Sequence, residues 1–203
     1  MHLYSFPANF SPEGDSVDMP WGSKPSQKFV SDVGLVTSTG PNGPNIMAAE
    51  WTNHVSYSPG LIMLNLGPDK ATVENILATK EFGVSLASDK QATATSIAGG
   101  SSGRKTDKIG ALIDLGYAFF PAKHIKAPLL KGAALTIECK LIKHETIGDH
   151  LMLIGEVLEA TPTDAMPLVY HSGIYNHLGA PIPKPLQDEL ERIKSIMEKH
   201  KKH

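Results

Sequence analysis

The sequence predicts a mainly β protein, an antiparallel barrel with a few inserted helices. Three observations lead there. Short segments rich in Val, Ile, Leu, Ser and Thr recur along the chain, separated by clusters of Gly, Pro, Asn and Asp. Few helical periods lie between them, which argues against a parallel sheet built from alternating strands and helices. No Gly-x-Gly-x-x-Gly opens a helix after a strand, and there is no Walker-type phosphate loop.

Taken in order, residues 1–25 are rich in Pro, Ser, Gly and Asp and read as an arm with little regular structure. Lys28 to Thr39 suits a strand, Gly40 to Asn45 is turn chemistry, and Ile46 to Ser56 is the returning strand, ended by Pro59-Gly60. Leu61 to Leu66 is an almost unbroken apolar run, as a buried strand requires. A helix is expected after Gly67-Pro68-Asp69, with Val73, Ile76 and Leu77 on one face. Phe82, Val84 and Leu86 then alternate with Gly83, Ser85 and Ala87, whose small face leaves room for a ligand or equally for a neighbouring helix. Further helices are expected near Gln91–Ala98 and Asp107–Ile113.

Two long strands follow, Ala133 to Lys143 and His150 to Leu158. The first sets Leu135, Ile137, Cys139 and Leu141 on one face and Thr136, Glu138 and Lys140 on the other. Leu168–His171 and Ile174–His177 add short strands. Leu186, Leu190, Ile193 and Met197 recur at helical spacing among charged residues, so an amphipathic helix entered through Pro183 and Pro185 closes the chain. Its apolar stripe is expected to be buried on the body of the protein or on a partner. The organisation is thus an arm (1–25), a barrel domain (26–180) and a terminal helix (181–203).

The chain has 203 residues, 41% hydrophobic and 20% charged, enough to bury a core without disulfides or structural metals. A net charge of −2 and a pI near 6.5 offer nothing to the phosphates of a nucleic acid, so no nucleic-acid partner is expected. Cys139 is the only cysteine, which excludes an internal disulfide and a thiolate metal cage and fits a reducing compartment. His54, His124, His144, His171 and His177 show no ligand spacing, and no metal is expected. Met1 to Pro7 is unlike a signal peptide. No apolar run approaches the roughly 20 residues of a membrane span. A cytoplasmic protein with no membrane partner is the expectation.

Candidate chemistry begins at the turn into the helix after Asp69. A helix start carries unpaired N–H groups and a partial positive charge, and Lys70 and Thr72 add an ammonium and a hydroxyl there. An ordinary helix start with an exposed lysine reads the same way. Ser101 to Lys108 gathers hydroxyls, glycine and the cations Arg104, Lys105 and Lys108, suited to a phosphate or to plain solvation. His150, at a turn entering an apolar strand, suits proton donation or a purely structural place. Cys139, on an apolar face, reads as a small hydrophobe rather than a nucleophile. No Gly-x-Ser-x-Gly elbow is present.

The order of these segments carries a resemblance. Asn45-Ile46-Met47-Ala48-Ala49-Glu50-Trp51-Thr52-Asn53-His54-Val55-Ser56-Tyr57-Ser58-Pro59 closely resembles the first signature of the flavin reductase-like, FMN-binding split-barrel family. Lys70 to Ile76 followed by Glu81 to Ser85 is similar to its strand-and-helix motif. Ser102-Gly103-Arg104 with Asp107-Lys108 resembles its central loop, and Gly148-Asp149-His150 leading to Ile154-Gly155-Glu156-Val157 its late signature. The likeness runs from about Lys28 to Gly179. Gly60 departs from a proline common in relatives, and Lys105-Thr106 varies the loop, which bears on the contacts of Arg104.

The resemblance implies a six-stranded antiparallel Greek-key split barrel, acting as a homodimer with FMN near the subunit interface. Glu50, Trp51, Thr52 and Asn53 would line the isoalloxazine. Lys70, Thr72 and Asn75 would sit near the ribityl chain and phosphate, with Ser88, Ser102, Arg104 and Lys108 as further neighbours. His150 would approach the ring or the nicotinamide as the catalytic group. The implied activity is that of an FMN-dependent oxidoreductase taking electrons from NADH or NADPH to a flavin, a ferric chelate or a protein acceptor. A flavoredoxin-like electron carrier fed by a protein donor, and a flavin-binding protein without turnover, use the same site.

Overall fold

The computed structural model describes residues 17–202, so residues 1–16 of the expected arm lie outside the described part. A single 3-10 turn, Ser26–Lys28, leads into β1 (Val30–Ser31) and β2 (Gly34–Ser38). β3 (Asn45–Ala49), β4 (Thr52–Tyr57) and β5 (Gly60–Leu66) precede helix α1 (Ala71–Thr79). β6 (Glu81–Leu86), α2 (Ala92–Gly100) and α3 (Lys108–Asp114) come next. The short β7 (Phe119–Phe120) and β8 (Leu129–Leu130) precede the long hairpin of β9 (Leu135–Ile147) and β10 (His150–Pro162). β11 (Val169–His171), β12 (Ile174–Asn176) and α4 (Gln187–Lys199) finish the chain.

Seven strands form the main sheet in the order β3-β2-β6-β9-β10-β5-β4, every pair antiparallel. The expected single strand from Ile46 to Ser56 is therefore corrected to two, and the expected six strands become seven. The break at Glu50-Trp51 has a topological cause. β3 and β4 are neighbours in the chain yet occupy opposite ends of the sheet, and a two-residue link spans only about 10 Å. The sheet must curl until its two edges meet there, a barrel with a split. At this seam Gly34 lies directly against the Thr52 side chain, so closely that a Cβ at position 34 would overlap it.

Inside the curl, Val36, Leu64, Leu66, Phe82, Val84, Cys139 and Leu153 form the main core, with Val73 and Ile76 of α1 closing one end. Phe82 is fully buried, and truncating such a side chain to alanine costs about 3–5 kcal/mol. Outside, Leu35, Ile46, Ala94, Ala98 and Leu112 form a second layer where α2 and α3 cover β2 and β3. The small face of β6 is covered by the chain itself. Gly83 packs against Ile125 and Leu129, and Ser85 Oγ accepts the Leu130 N–H at 3.2 Å. Cys139 is buried on the apolar face of β9 as the alternation predicts, and burial pushes its thiol up to about 12. On the opposite face the Glu138 carboxylate is buried and accepts the N–H groups of Lys123 and His124 at 2.9 and 2.6 Å.

The terminal helix forms where the periodicity places it. No residue of α4 is buried, so its stripe does not pack on its own barrel, and that half of the expectation is corrected.

Candidate functional site

Two constellations lie at the two ends of β3, one at its head and one at the split. The first is an anion cradle at the start of α1. Lys70 is its N-cap without a side-chain cap, and the N–H groups of Ala71 and Thr72 have no backbone acceptor among the described residues. Asn45, buried at the head of β3, donates from Nδ2 to Thr72 Oγ1 at 2.8 Å. Its Oδ1 is buried and has no partner among the described residues.

The central loop closes over this point. Gly103 sits against the Asn45 amide so tightly that a Cβ would overlap it. Arg104 donates to the Asp69 carbonyl at 2.6 Å and to Glu74 Oε2 at 2.9 Å, pinning the loop to both sides of the helix start. Glu74 also accepts the Asn42 side-chain amide, and that bond, followed by the one from Arg104, holds its carboxyl below the usual glutamate value. Loop, hairpin and helix are thus braced into one unit around a patch of unspent donors.

The second constellation is a ring platform. Trp51, 47% exposed at the seam, packs its indole against the imidazole of His150 with centroids 4.5 Å apart and planes tilted by 47°. His150 opens β10, and its Nδ1 lies 2.6 Å from Asp149 Oδ1. This hydrogen bond is the main reason the Asp149 carboxyl falls below its ordinary value. Nδ1 being engaged by the carboxylate, Nε2 is the ring nitrogen left to meet a ligand. Glu50 beside Trp51 is partly buried, and desolvation raises its carboxyl. Cradle and platform lie at opposite ends of β3, roughly 15 Å apart along the strand. The outer edge of β3 between them pairs with no strand among the described residues and offers backbone donors and acceptors.

The other expected residues divide. Ser102 lies in the loop, accepting the Arg104 N–H at 3.3 Å. Thr52 is buried at the seam and donates to the Ala49 carbonyl at 3.1 Å, while Asn53 beside it is exposed. Both line an apolar cavity of about 270 Å³ at the barrel end, with Ile62, Leu86, Ile137 and Val157. Asn75 is fully buried and spent on the β2–β3 hairpin, bonding Ser38, the Gly43 carbonyl and the Asn42 N–H. Ser88 is buried at the entry to α2, its N–H given to Gln91 Oε1 at 3.0 Å. Lys108 is buried and donates to the Ala98 carbonyl at 2.8 Å, and desolvation lowers its ammonium to about 8. These last three hold the scaffold that carries the cradle.

Sequence reasoning passed over Asn45 as a site residue, although it heads the first signature, and it had no way to pair Glu74 with Arg104 across the fold.

The unspent donors, the orphaned amide oxygen and the edge of β3 fit a phosphate joined to a planar polar ring. A curled antiparallel sheet carrying such a site defines the split-barrel flavoprotein oxidoreductases. The flavin reductase like domain matches residues 26–179, and the chain belongs to that family. It is similar to the NADH-dependent FAD reductase of Streptomyces globisporus, 29% identical over 146 residues, 71% of this chain and 77% of the relative. It is likewise similar to an FMN reductase (NADH) of Agrobacterium fabrum, 26% identical over 147 residues, 72% and 79% of the two chains. Among solved structures, the flavin reductase component of a bacterial two-component tryptophan halogenase superposes with a TM-score of 0.66 at 30% identity, covering 76% of this chain and 94% of that one. The flavoredoxin of Desulfovibrio vulgaris (Miyazaki F) shares the fold, with a TM-score of 0.67 at 22% identity over 89% and 99% of the chains.

Proposed function

We propose that the chain binds FMN and uses it as a flavin reductase, oxidising NADH in preference to NADPH and passing electrons to a free flavin, a ferric chelate or a protein acceptor. The observation that carries the reading is the braced cradle at the start of α1, where Asn45, Thr72, Gly103 and Arg104 converge. NADH is favoured because the similar reductases are named for it.

The first-turn N–H groups of α1, Lys70 and Asn45 Oδ1 hold the phosphate and ribityl hydroxyls, and Arg104 fixes the loop over them. Trp51 and Glu50, with the edge of β3, orient the ring. Bound FMN supplies an acceptor for hydride and its two electrons. His150, steered by Asp149, holds or releases a proton at Nε2 beside that ring. The free edges at the seam favour a homodimer that shields the site, and the absence of disulfide chemistry favours the cytoplasm. No helix among the described residues is long and apolar enough to cross a membrane.

The test is an anaerobic absorbance titration of FMN-reconstituted protein with NADH and then NADPH. Bleaching of the bound flavin by NADH is expected. A bound flavin that neither nicotinamide reduces would replace the reductase by an electron carrier, and failure to bind FMN would remove both.

A further inference from the structure

The match to the flavin reductase family ends at residue 179, and α4 lies beyond it. Every residue from His177 to Lys202 is exposed. Leu186, Leu190, Ile193 and Met197 recur at the 4-3-4 spacing of a coiled-coil seam, with Ile196 widening the stripe, and they stand 74%, 44%, 43%, 65% and, for Ile196, 44% exposed. A stripe of this kind in water is costly unless another surface covers it.

Its charges say what that surface is. The acids Asp188, Glu189 and Glu191 lie before the point midway between Leu190 and Ile193, whereas Arg192, Lys194 and Lys199 lie after it with a single acid, Glu198, and Lys201 and Lys202 follow just beyond the helix. Two such helices laid parallel would set acids against acids and lysines against lysines. Laid antiparallel, each acidic half faces a basic half, and a two-fold axis across the helices generates that arrangement from identical chains. An anionic lipid surface fits less well, because the acidic first half would be repelled from it.

We propose that α4 pairs antiparallel with α4 of a second copy of this chain, its stripe forming a two-helix seam centred between Leu190 and Ile193, with Leu190 facing Ile193 and Leu186 facing Met197 of the other copy. The helix is about 20 Å long. A seam of that length buries less than the roughly 800 Å² per partner of a free-standing interface. It therefore reinforces contact made elsewhere between the copies, acting at the high effective concentration that contact provides. The pairing does not depend on the flavin reading, and its test does not use turnover.

Cys139 is buried, so a cysteine placed on α4 is the accessible thiol. In the full-length protein under mild oxidation, Ile193→Cys should run mostly as a disulfide-linked pair on a non-reducing gel. Met197→Cys should not, because the two-fold sets its copies about 17 Å apart along the axis, beyond disulfide reach. Reversing Asp188, Glu189 and Glu191 to lysine in the Ile193→Cys background should abolish the link, and reversing Lys194, Lys199 and Lys201 to glutamate in the same chain should restore it. None of these positions is buried, so the barrel is left intact. Linking at both cysteine positions, no linking at Ile193→Cys, or co-sedimentation of the unmodified protein with phosphatidylserine vesicles would each overturn the proposal.

Discussion

The cradle and the ring platform are built in opposite ways, although one five-residue strand connects them. Around the cradle the groups are buried or cross-bonded, and nearly every polar atom except Asn45 Oδ1 and the first-turn N–H groups has its partner. At the platform, Trp51 packs on His150, which Asp149 holds from the other side, and the indole is about half open to solvent. A rigid, pre-satisfied shell spends little on ordering when an anion arrives, so it governs affinity. A face left open admits a second reactant, so it governs turnover. The difference teaches that substitutions in the two places should separate binding from rate.

The largest effect is expected at the base of the loop. The gap between the ordinary lysine value of 10.5 and about 8 for Lys108 corresponds to at most about 3 kcal/mol. Below pH 8 the ammonium is charged in both the folded and unfolded states, and the full cost of burying it is carried. Between pH 8 and 10.5 the folded chain sheds the proton first, so stability should rise with pH. Denaturant unfolding across that range should show the rise in the unaltered protein and lose it in Lys108→Met.

Next comes Gly103→Ala, whose Cβ must displace the Asn45 amide or lift the loop. FMN affinity should fall roughly 10- to 100-fold, from the 1–3 kcal/mol typical of overpacking, in a flavin fluorescence titration. Arg104→Ala, which removes the ties to Asp69 and Glu74, should weaken FMN about tenfold in the same titration. The smallest change in binding belongs to the platform. His150→Ala should leave FMN affinity within about twofold and slow flavin reduction by NADH about tenfold in stopped-flow absorbance. If Gly103→Ala altered only the rate, or His150→Ala only the affinity, the division between the two regions would collapse.

The strands and helices were legible because each burial face has its own period. The alternation in β6 and β9 and the stripes of α1 and α4 can be read directly, and the turn residues mark most boundaries. The break at Glu50-Trp51 was not legible. Nothing local in that run interrupts a strand, and the cause is the closure of the sheet, a property of pairings far apart in the chain. The site divided along the same line. The donors of the helix start and the ring pair Trp51 and His150 lie in recognisable segments, although their contact joins residues about a hundred positions apart. Asn75 and Lys108 looked like ligands because an amide and an ammonium read the same whether they face a phosphate or a carbonyl of their own chain. Only their burial and partners show that they hold the hairpin and the α2–α3 junction.

The two-residue link at the seam has a bearing on how such a molecule can change over generations. The ladder of β3 with β2 and that of β4 with β5 are each set by their own partners, and no strand pairing crosses Glu50-Trp51. Lengthening or shortening that link would move the two lips of the barrel apart or together while both ladders kept their registers. The width of the opening is therefore an independently heritable dimension, adjustable to cofactors and cosubstrates of different girth without redesign of the walls.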